Sequence, residues 1–407
     1  MKSIRFFTLG CKANQYDTQS IREKFLSKHF QEAHKNSLPD YFLVNTCTVT
    51  ASADQKSLSV IRKCLRVNPQ AKVIVTGCLV EKDGLSLAGI KGKVLTIKKS
   101  FFPEGISSFD QHTRAFLKIQ DGCSNFCTYC KVALVRGKER SKILKQVVAE
   151  AKKLAACGHR EIVLTGICLG SYGKDLVPKK DLTDVIRELE KIKGLFRIRL
   201  SSIEAGDVSS KLVQCLKVSN KFCRHLHIPI QSGDDRILKS MNRKYTRSKY
   251  LNLINRLKRN VARISITTDC LVGFPGETEE NFKNTLDLIS KIMPLKVHVF
   301  PYSSRRQTKA AGFKNPVDPK IIKDRCIRLQ AHVRKIRIKF MRKFINKKLS
   351  VLIEGQTKDY PDFFEGLTDN YLKVALPFKP DLNNQIVNAR IKCVLGDKLI
   401  GEYIDNF

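Results

Sequence analysis

The chain has 407 residues, 42% of them hydrophobic, with 14 cysteines and no tryptophan. That length suits two or three domains, each able to bury a core, and no run nears the roughly 18 apolar residues of a membrane span. Lysine and arginine outnumber aspartate and glutamate 75 to 38, a formal charge of +37, which fits a polyanionic partner whose condensed counterions are released on binding.

The opening run MKSIRFFTLGC is too short in apolar residues for a secretory signal and reads as a first strand. The protein is therefore expected in the cytoplasm, with no membrane partner. Cysteines in an unexported chain point to metal ligation and buried thiols rather than a disulfide framework. Residues 1–107 form a first unit, with apolar runs at 5–9, 41–45 and 72–76 as parallel strands and helices at 15–30 and 53–67. The pattern is a small open parallel α/β sheet with crossover helices. A cysteine follows each of these strands: Cys11, Cys47 and Cys78. Ligands of open α/β sheets bind at the carboxyl ends of strands, so the three thiols are expected to converge on one metal site. The competing reading makes them separate small core residues.

Residues 108–340 repeat a strand–helix unit, with strands expected at 115–120, 161–168, 196–202, 225–230, 264–272 and 297–302. Helices are expected at 142–156, 182–192, 235–241, 248–260 and 279–289. Six such units make a partial (β/α)6 barrel whose active face lies at the C-terminal strand ends. The run DGCSNFCTYC follows the first strand and carries Cys123, Cys127 and Cys130 in C-x3-C-x2-C spacing. A 4Fe–4S cluster normally takes four thiolates. Three leave one iron open for chemistry, whereas structural zinc wants four closed ligands. Cys157 and His159, on an expected helix end, do not supply the missing pair.

Glycine-rich or polar segments end the later strands: 165–173 with Gly166, Ser201 to Glu204, 231–233, and 272–277 with Gly276. Glycines there admit a ligand close to the backbone, and together they suggest a nucleoside-containing cofactor. Arg136, Arg140 and Arg199 read equally as anion contacts or structural ion pairs, and His225 and His227 as satisfied core histidines. Residues 319–348 read as a basic amphipathic helix whose one acid is Asp324, suited to phosphate contact. Residues 341–407 form the last unit, with alternating segments at 350–354, 371–375, 385–394 and 398–404. They read as a small antiparallel β-barrel of the OB-like kind.

The C-x3-C-x2-C motif resembles that of radical S-adenosylmethionine (SAM) enzymes. More narrowly, residues 8–15 (TLGCKANQ), 114–130 (RAFLKIQDGCSNFCTYC), 164–175 (LTGICLGSYGKD), 197–204 (RIRLSSIE), 225–233 (HLHIPIQSG) and 269–278 (DCLVGFPGET) resemble the methylthiotransferases. Within that family TLGCKANQ is similar to the branch acting on threonylcarbamoyladenosine in tRNA. The resemblance implies a radical-SAM core and a terminal TRAM RNA-binding barrel. It implies two 4Fe–4S clusters, one on Cys123, Cys127 and Cys130 with SAM at its open iron, the other on Cys11, Cys47 and Cys78 carrying the inserted sulfur. It further implies a 5′-deoxyadenosyl radical that takes hydrogen from C2 of the adenine, and a second SAM that methylates the sulfur. Gly166, Glu204 and Gly276 fall on expected SAM contacts. The partners implied are the tRNA anticodon stem-loop, SAM, a reducing electron donor and a sulfur source. Two other readings are isopentenyladenosine as the substrate, and a non-catalytic RNA-binding iron–sulfur protein. The chain departs from the family pattern at Lys131-Val132-Ala133, at Val80-Glu81 and at Gln307, and Cys168 is an extra thiol read as a neutral substitution.

Overall fold

The computed structural model describes residues 1–404 apart from 35, 83–86, 88, 91, 99–104, 110–111 and 358–359. The N-terminal unit is a parallel sheet in the order β2-β1-β3-β4-β5, from β1 (Ser3–Thr8), β2 (Gln31–Glu32), β3 (Tyr41–Thr46), β4 (Lys72–Gly77) and β5 (Val94–Thr96). The central strands are buried runs because helices cover both faces. Helix Ala51–Val67 packs Ile61 and Cys64 into one side. Helix Lys12–Leu26 buries an unusually polar face, including Asn14, Asp17, Thr18 and Gln19, because it docks against the next unit. The edge strands β2 and β5 were not expected; at two and three residues they carry too little pattern to read.

The central unit has six parallel strands in chain order: β6 (Ala115–Lys118), β9 (Glu161–Thr165), β10 (Arg197–Leu200), β11 (His225–His227), β12 (Ser265–Val272) and β13 (Lys296–Pro301). Isolated bridges Ile198 to Phe222 and Ser202 to His227 join its two halves, giving the partial barrel expected. The first strand is shorter than expected. After Ile119 the chain leaves the parallel sheet, and β7 (Gln120–Asp121) pairs antiparallel with β8 (Arg140–Ser141). That small ribbon clamps both ends of the loop bearing Cys123, Cys127 and Cys130. Helix Ser210–Val218, also unexpected, buries Leu212, Val213 and Leu216.

The C-terminal unit is a closed barrel in the order β14-β15-β16-β18-β17, from β14 (Lys348–Gln356), β15 (Phe363–Thr368), β16 (Lys373–Pro377), β17 (Ile386–Leu395) and β18 (Lys398–Tyr403). Four of its pairings are antiparallel, and β16 with β18 is parallel. β15 was missed in sequence because Gly366 interrupts it; a Cβ there would lie 2.5 Å from Val351 Cγ1, so the crossing strands require a bare backbone.

This barrel plugs the N-terminal mouth of the central one. Arg197 donates to the carbonyls of Leu367 (2.9 Å) and Ser350 (2.8 Å), and Arg199 to those of Thr368 and Asp369 (3.1 Å each). Tyr371 stacks on His225 at 4.2 Å between ring centroids. Glu161 sits fully buried among three guanidinium groups, 2.6 Å from Arg199 Nε, 3.7 Å from Arg197 and 4.0 Å from Arg114. Arg199 is thus structural: its ion pair seals the barrel floor and leaves the opposite end for ligands.

Candidate active site: two cysteine sets joined by one helix

Parallel neighbours β1, β3 and β4 end side by side, which brings Cys11, Cys47 and Cys78 together at one edge of the sheet. Gly10 shows how tightly. Its φ is +99°, and a Cβ there would lie 2.8 Å from Cys47 Cβ and 2.9 Å from its Sγ. Cys11 stands at the N-cap of helix Lys12–Leu26 and is exposed. Burial pushes the Cys47 thiol up, with Cys78 and Cys11 close enough to add to it. Such thiols deprotonate when a metal replaces the proton. The loop after Cys47 is gripped from the central unit: buried Arg305 donates to Thr48 O (3.0 Å) and Oγ1 (3.1 Å) and pairs with Asp54 (2.5 Å).

The second set lies on the loop clamped by β7 and β8. Gly122 takes φ +78°, and a Cβ would fall 1.9 Å from the Lys138 carbonyl oxygen, so only glycine lets the chain turn into Cys123. The sulfurs face N–H donors: Arg243 Nη1 is 3.4 Å from Cys127 Sγ and the Val132 amide 3.4 Å from Cys130 Sγ. Donors aimed at sulfur suit an anionic cluster and help to set its potential. Burial raises the Cys130 thiol to about 11. All three residues are partly exposed. The chemistry and placement of both donor sets fit a three-thiolate cluster.

One short helix ties the sets together. Val132–Arg136 begins two residues after Cys130 and is about 8 Å long at 1.5 Å per residue. Its last residue, Arg136, lies beside Cys78 and Cys11, whose charges, after that of Asp121, help raise the guanidinium against the opposing effect of burial. Helix Cys78–Lys82 packs against it. Beneath, buried Lys118 pairs with Asp17 and, at 2.9 Å, with Asp121. Arg136 bonds Asp121 (2.9 Å) and Asn14 Oδ1 (2.6 Å). Arg136 is therefore a buried strut between the two units. Arg140 is exposed on β8.

The other expected site residues divide. Glu204 lies at the Cys123 set: it pairs with Arg243, which also touches Cys127, and burial raises its carboxyl despite that partner. Gly166 backs onto Gln120, whose Oε1 would lie 2.9 Å from an added Cβ. Gly276 is held by Asn315 (2.8 Å) and Arg236 (2.8 Å), with Phe274 rather than Gly276 meeting Tyr129 of the cysteine loop. Cys168 is within hydrogen-bonding reach of Cys123, and Asn125 Nδ2 lies 3.5 Å from its sulfur. His227 is not a core histidine: partly exposed, it sets Nε2 3.1 Å from Asp269 Oδ1. Its neighbour His225 is buried, as expected, but only half satisfied: Nε2 lies 2.8 Å from Thr267 Oγ1, and Nδ1 has no hydrogen-bond partner among the described residues. Sequence reasoning missed Arg243, Asp269 and His298, of which Asp269 sat inside a quoted motif without being weighed.

The basic helix also differs from expectation. It runs Pro319–Arg342, and acids of other elements meet its arginines: Arg325 bonds Glu277 (3.0 Å), Arg328 pairs with Glu279 as well as with its own Asp324 (3.2 Å), and Arg337 with Asp397. Beyond its end, Lys343, Lys347 and Lys348 join Lys258 and Arg263 around a cleft of about 400 Å³. No described helix is long and apolar enough to cross a membrane.

Residues 117–289 match the radical SAM superfamily, and residues 3–97 match a family described as uncharacterized protein family UPF0004. The chain is 35% identical to the threonylcarbamoyladenosine tRNA methylthiotransferase MtaB of Bacillus subtilis, over 96% of this chain and 94% of that protein. The MtaB of Chlamydia pneumoniae is 35% identical over 99% and 98%. The tRNA-2-methylthio-N(6)-dimethylallyladenosine synthase of Clostridium tetani is 33% identical over 98% and 95%. The radical SAM methyltransferase TsrM of Kitasatospora setae has a similar fold, with TM-score 0.52 and 15% identity over 74% of this chain and 73% of that one. The chain belongs to the radical SAM tRNA methylthiotransferases, enzymes that work with SAM and 4Fe–4S clusters.

Proposed function

We propose that this protein methylthiolates C2 of N6-threonylcarbamoyladenosine at tRNA position 37, with Cys123, Cys127 and Cys130 holding the SAM-binding cluster and Cys11, Cys47 and Cys78 a second one. The observation that carries the reading is the pair of three-thiol sets on opposite ends of helix Val132–Arg136. When bound, SAM and the two clusters supply the reducing electron, the 5′-deoxyadenosyl radical and the sulfur.

The chain's own residues give that chemistry its geometry. The Lys118–Asp17–Asp121–Arg136 network locks the sheet of the first unit onto the barrel, so both clusters address one base without a hinge between them. Glu204 and Arg243 form the rim beside Cys127, and Gly166, Glu204 and Gly276 take the roles of SAM contacts on the strength of their sequence motifs. The plugged barrel floor keeps water from entering below. The terminal barrel (341–407) and the lysine cleft beside it bind the RNA backbone, which their charge suits.

The substrate is the finer part of this reading, since relatives named for either modified adenosine match at nearly equal identity. The reconstituted enzyme is given tRNA bearing threonylcarbamoyladenosine or isopentenyladenosine, with SAM and a reductant, and digested nucleosides are analysed by mass spectrometry. The proposal expects the methylthio product from the threonylcarbamoyl substrate. Product from the isopentenyl substrate alone would overturn it, and absence of 5′-deoxyadenosine would point to a non-catalytic protein.

A further inference from the structure

Strands β11, β12 and β13 carry a cluster of polar side chains that the radical chemistry does not use. Strand register sets Asp269 opposite His298 on β12 and β13, and His227 opposite Thr267 on β11 and β12. One ligand atom each from His227, Asp269 and His298 lies within 4.8 Å of the others. From below, Thr267 Oγ1 is 2.8 Å from both His225 Nε2 and His227 Nδ1, which fixes the His227 ring. His298 also lies parallel to Phe300, which is 43% exposed. Glu204 is near enough for Asp269 to act on its charge, so the group reaches toward the Cys123 set.

Lys12, beside the Cys11 set, is near enough to this group for its charge to act on His298 and His225. It follows Cys11 directly, is partly buried, and holds Nζ 5.9 Å from the Phe116 ring centroid. Burial and Lys296 hold His298 below the usual imidazole range, and Lys12 is close enough to contribute. His298 therefore stands as a neutral imidazole with an N–H to offer. Among the described residues Lys12 forms no ion pair. Asp269, the nearby acid, is engaged by His227.

A partly desolvated ammonium, a neutral imidazole and a carboxylate are costly to cover with hydrocarbon and favourable to cover with matching polar groups. The two candidate substrates differ in that respect. The threonylcarbamoyl arm carries a carboxylate, a hydroxyl and ureido N–H groups, whereas the isopentenyl arm is apolar. We propose that Lys12, His298 and Asp269 form the receptor for the threonyl arm, with the Lys12 ammonium on its carboxylate, the His298 N–H beside it, and Asp269 accepting from its hydroxyl or N–H. This inference rests on the threonylcarbamoyl reading above and names the residues that enforce it. A site built to pair polar groups rejects an analogue lacking them far more strongly than a hydrophobic pocket rejects an extra methylene.

The test uses reconstituted full-length enzyme and anticodon stem-loop RNAs carrying threonylcarbamoyladenosine either as the free acid or as its methyl ester. Wild type should prefer the acid by about tenfold to hundredfold in kcat/KM, the scale of one hydrogen bond to a charged group. In Lys12→Gln that preference should fall toward one, chiefly through KM, and Lys12→Arg should restore most of it. Iron per chain is measured in parallel because Lys12 adjoins Cys11. If Lys12→Gln loses iron, His298→Phe decides, and it should lose part of the same preference with its iron intact. An acid preference that survives in variants retaining iron would overturn the inference. Wild type using both RNAs equally would refute the receptor while leaving the proposed function standing. Wild type that uses neither RNA but methylthiolates an isopentenyladenosine stem-loop run beside them would refute the proposed function itself.

Discussion

Replacing Gly10 with alanine should disable one cysteine set and spare the other. The new Cβ would stand 2.8 Å from Cys47 Cβ and 2.9 Å from Cys47 Sγ. Reaching the 3.4 Å of ordinary contact requires Cys47 to move by about 0.6 Å, against a tolerance of about 0.2 Å in metal–ligand distances. Cys47 has little freedom to move, since Arg305 grips Thr48 at 3.0 and 3.1 Å and the Ser57 hydroxyl bonds the Cys47 backbone at 3.1 and 3.3 Å. The left-handed φ of +99° adds strain of about 1–3 kcal/mol. Anaerobic reconstitution of Gly10→Ala should give about four irons per chain where wild type gives about eight. The variant should release 5′-deoxyadenosine from SAM and form little methylthiolated RNA. A variant with wild-type iron and wild-type product would refute the placement of Cys47.

Three further outcomes follow from the geometry. Glu161→Gln removes the carboxylate shared by buried Arg197 and Arg199 and by Arg114, which keeps Glu354 at 2.5 Å, and should cost about 3–5 kcal/mol, read as a lower thermal midpoint. Burial raises the Glu161 carboxyl, but Arg199, Arg114 and Arg197 outweigh it and hold the group at about 2, below its ordinary 4.5. Its contribution of about 3 kcal/mol is therefore present above pH 4.5 and lost as pH falls toward 2. Stability of the variant should vary less with pH across that window, and parallel curves would contradict the assignment. Arg243→Ala removes the donor 3.4 Å from Cys127 Sγ and should move the Cys123-site cluster to a more negative potential in an EPR-monitored redox titration; an unchanged potential would count against that contact. Changing Lys343, Lys347 and Lys348 to glutamine should weaken tRNA binding and make the log–log salt dependence shallower by about two to three units, with an unchanged slope arguing that RNA lies elsewhere.

The strand-end cysteines were legible because parallel sheets place consecutive strand ends together, so three distant positions became one site by topology alone. The six-unit barrel was legible for a similar reason, as buried strands read as apolar runs. What stayed hidden depended on long-range partners. Nothing local to residues 319–348 reveals that Arg325 would meet Glu277 or that Arg337 would meet Asp397. His227 reads as core because alternation on a strand does not say which face stays exposed. β15 escaped because Gly366 weakens its pattern for a reason, close approach to Val351, that exists only in the folded barrel. Nothing in the sequence marks the polar face of helix Lys12–Leu26 as the joint between two units.

Iron and sulfide per chain, measured after anaerobic reconstitution of wild type beside Cys11/Cys47/Cys78→Ala and Cys123/Cys127/Cys130→Ala, test the two-cluster site most directly. The account predicts about eight irons in wild type and about four in each triple variant, with SAM cleavage kept only where the Cys123 set is intact. About four irons in wild type, or no loss on removing Cys11, Cys47 and Cys78, would contradict it.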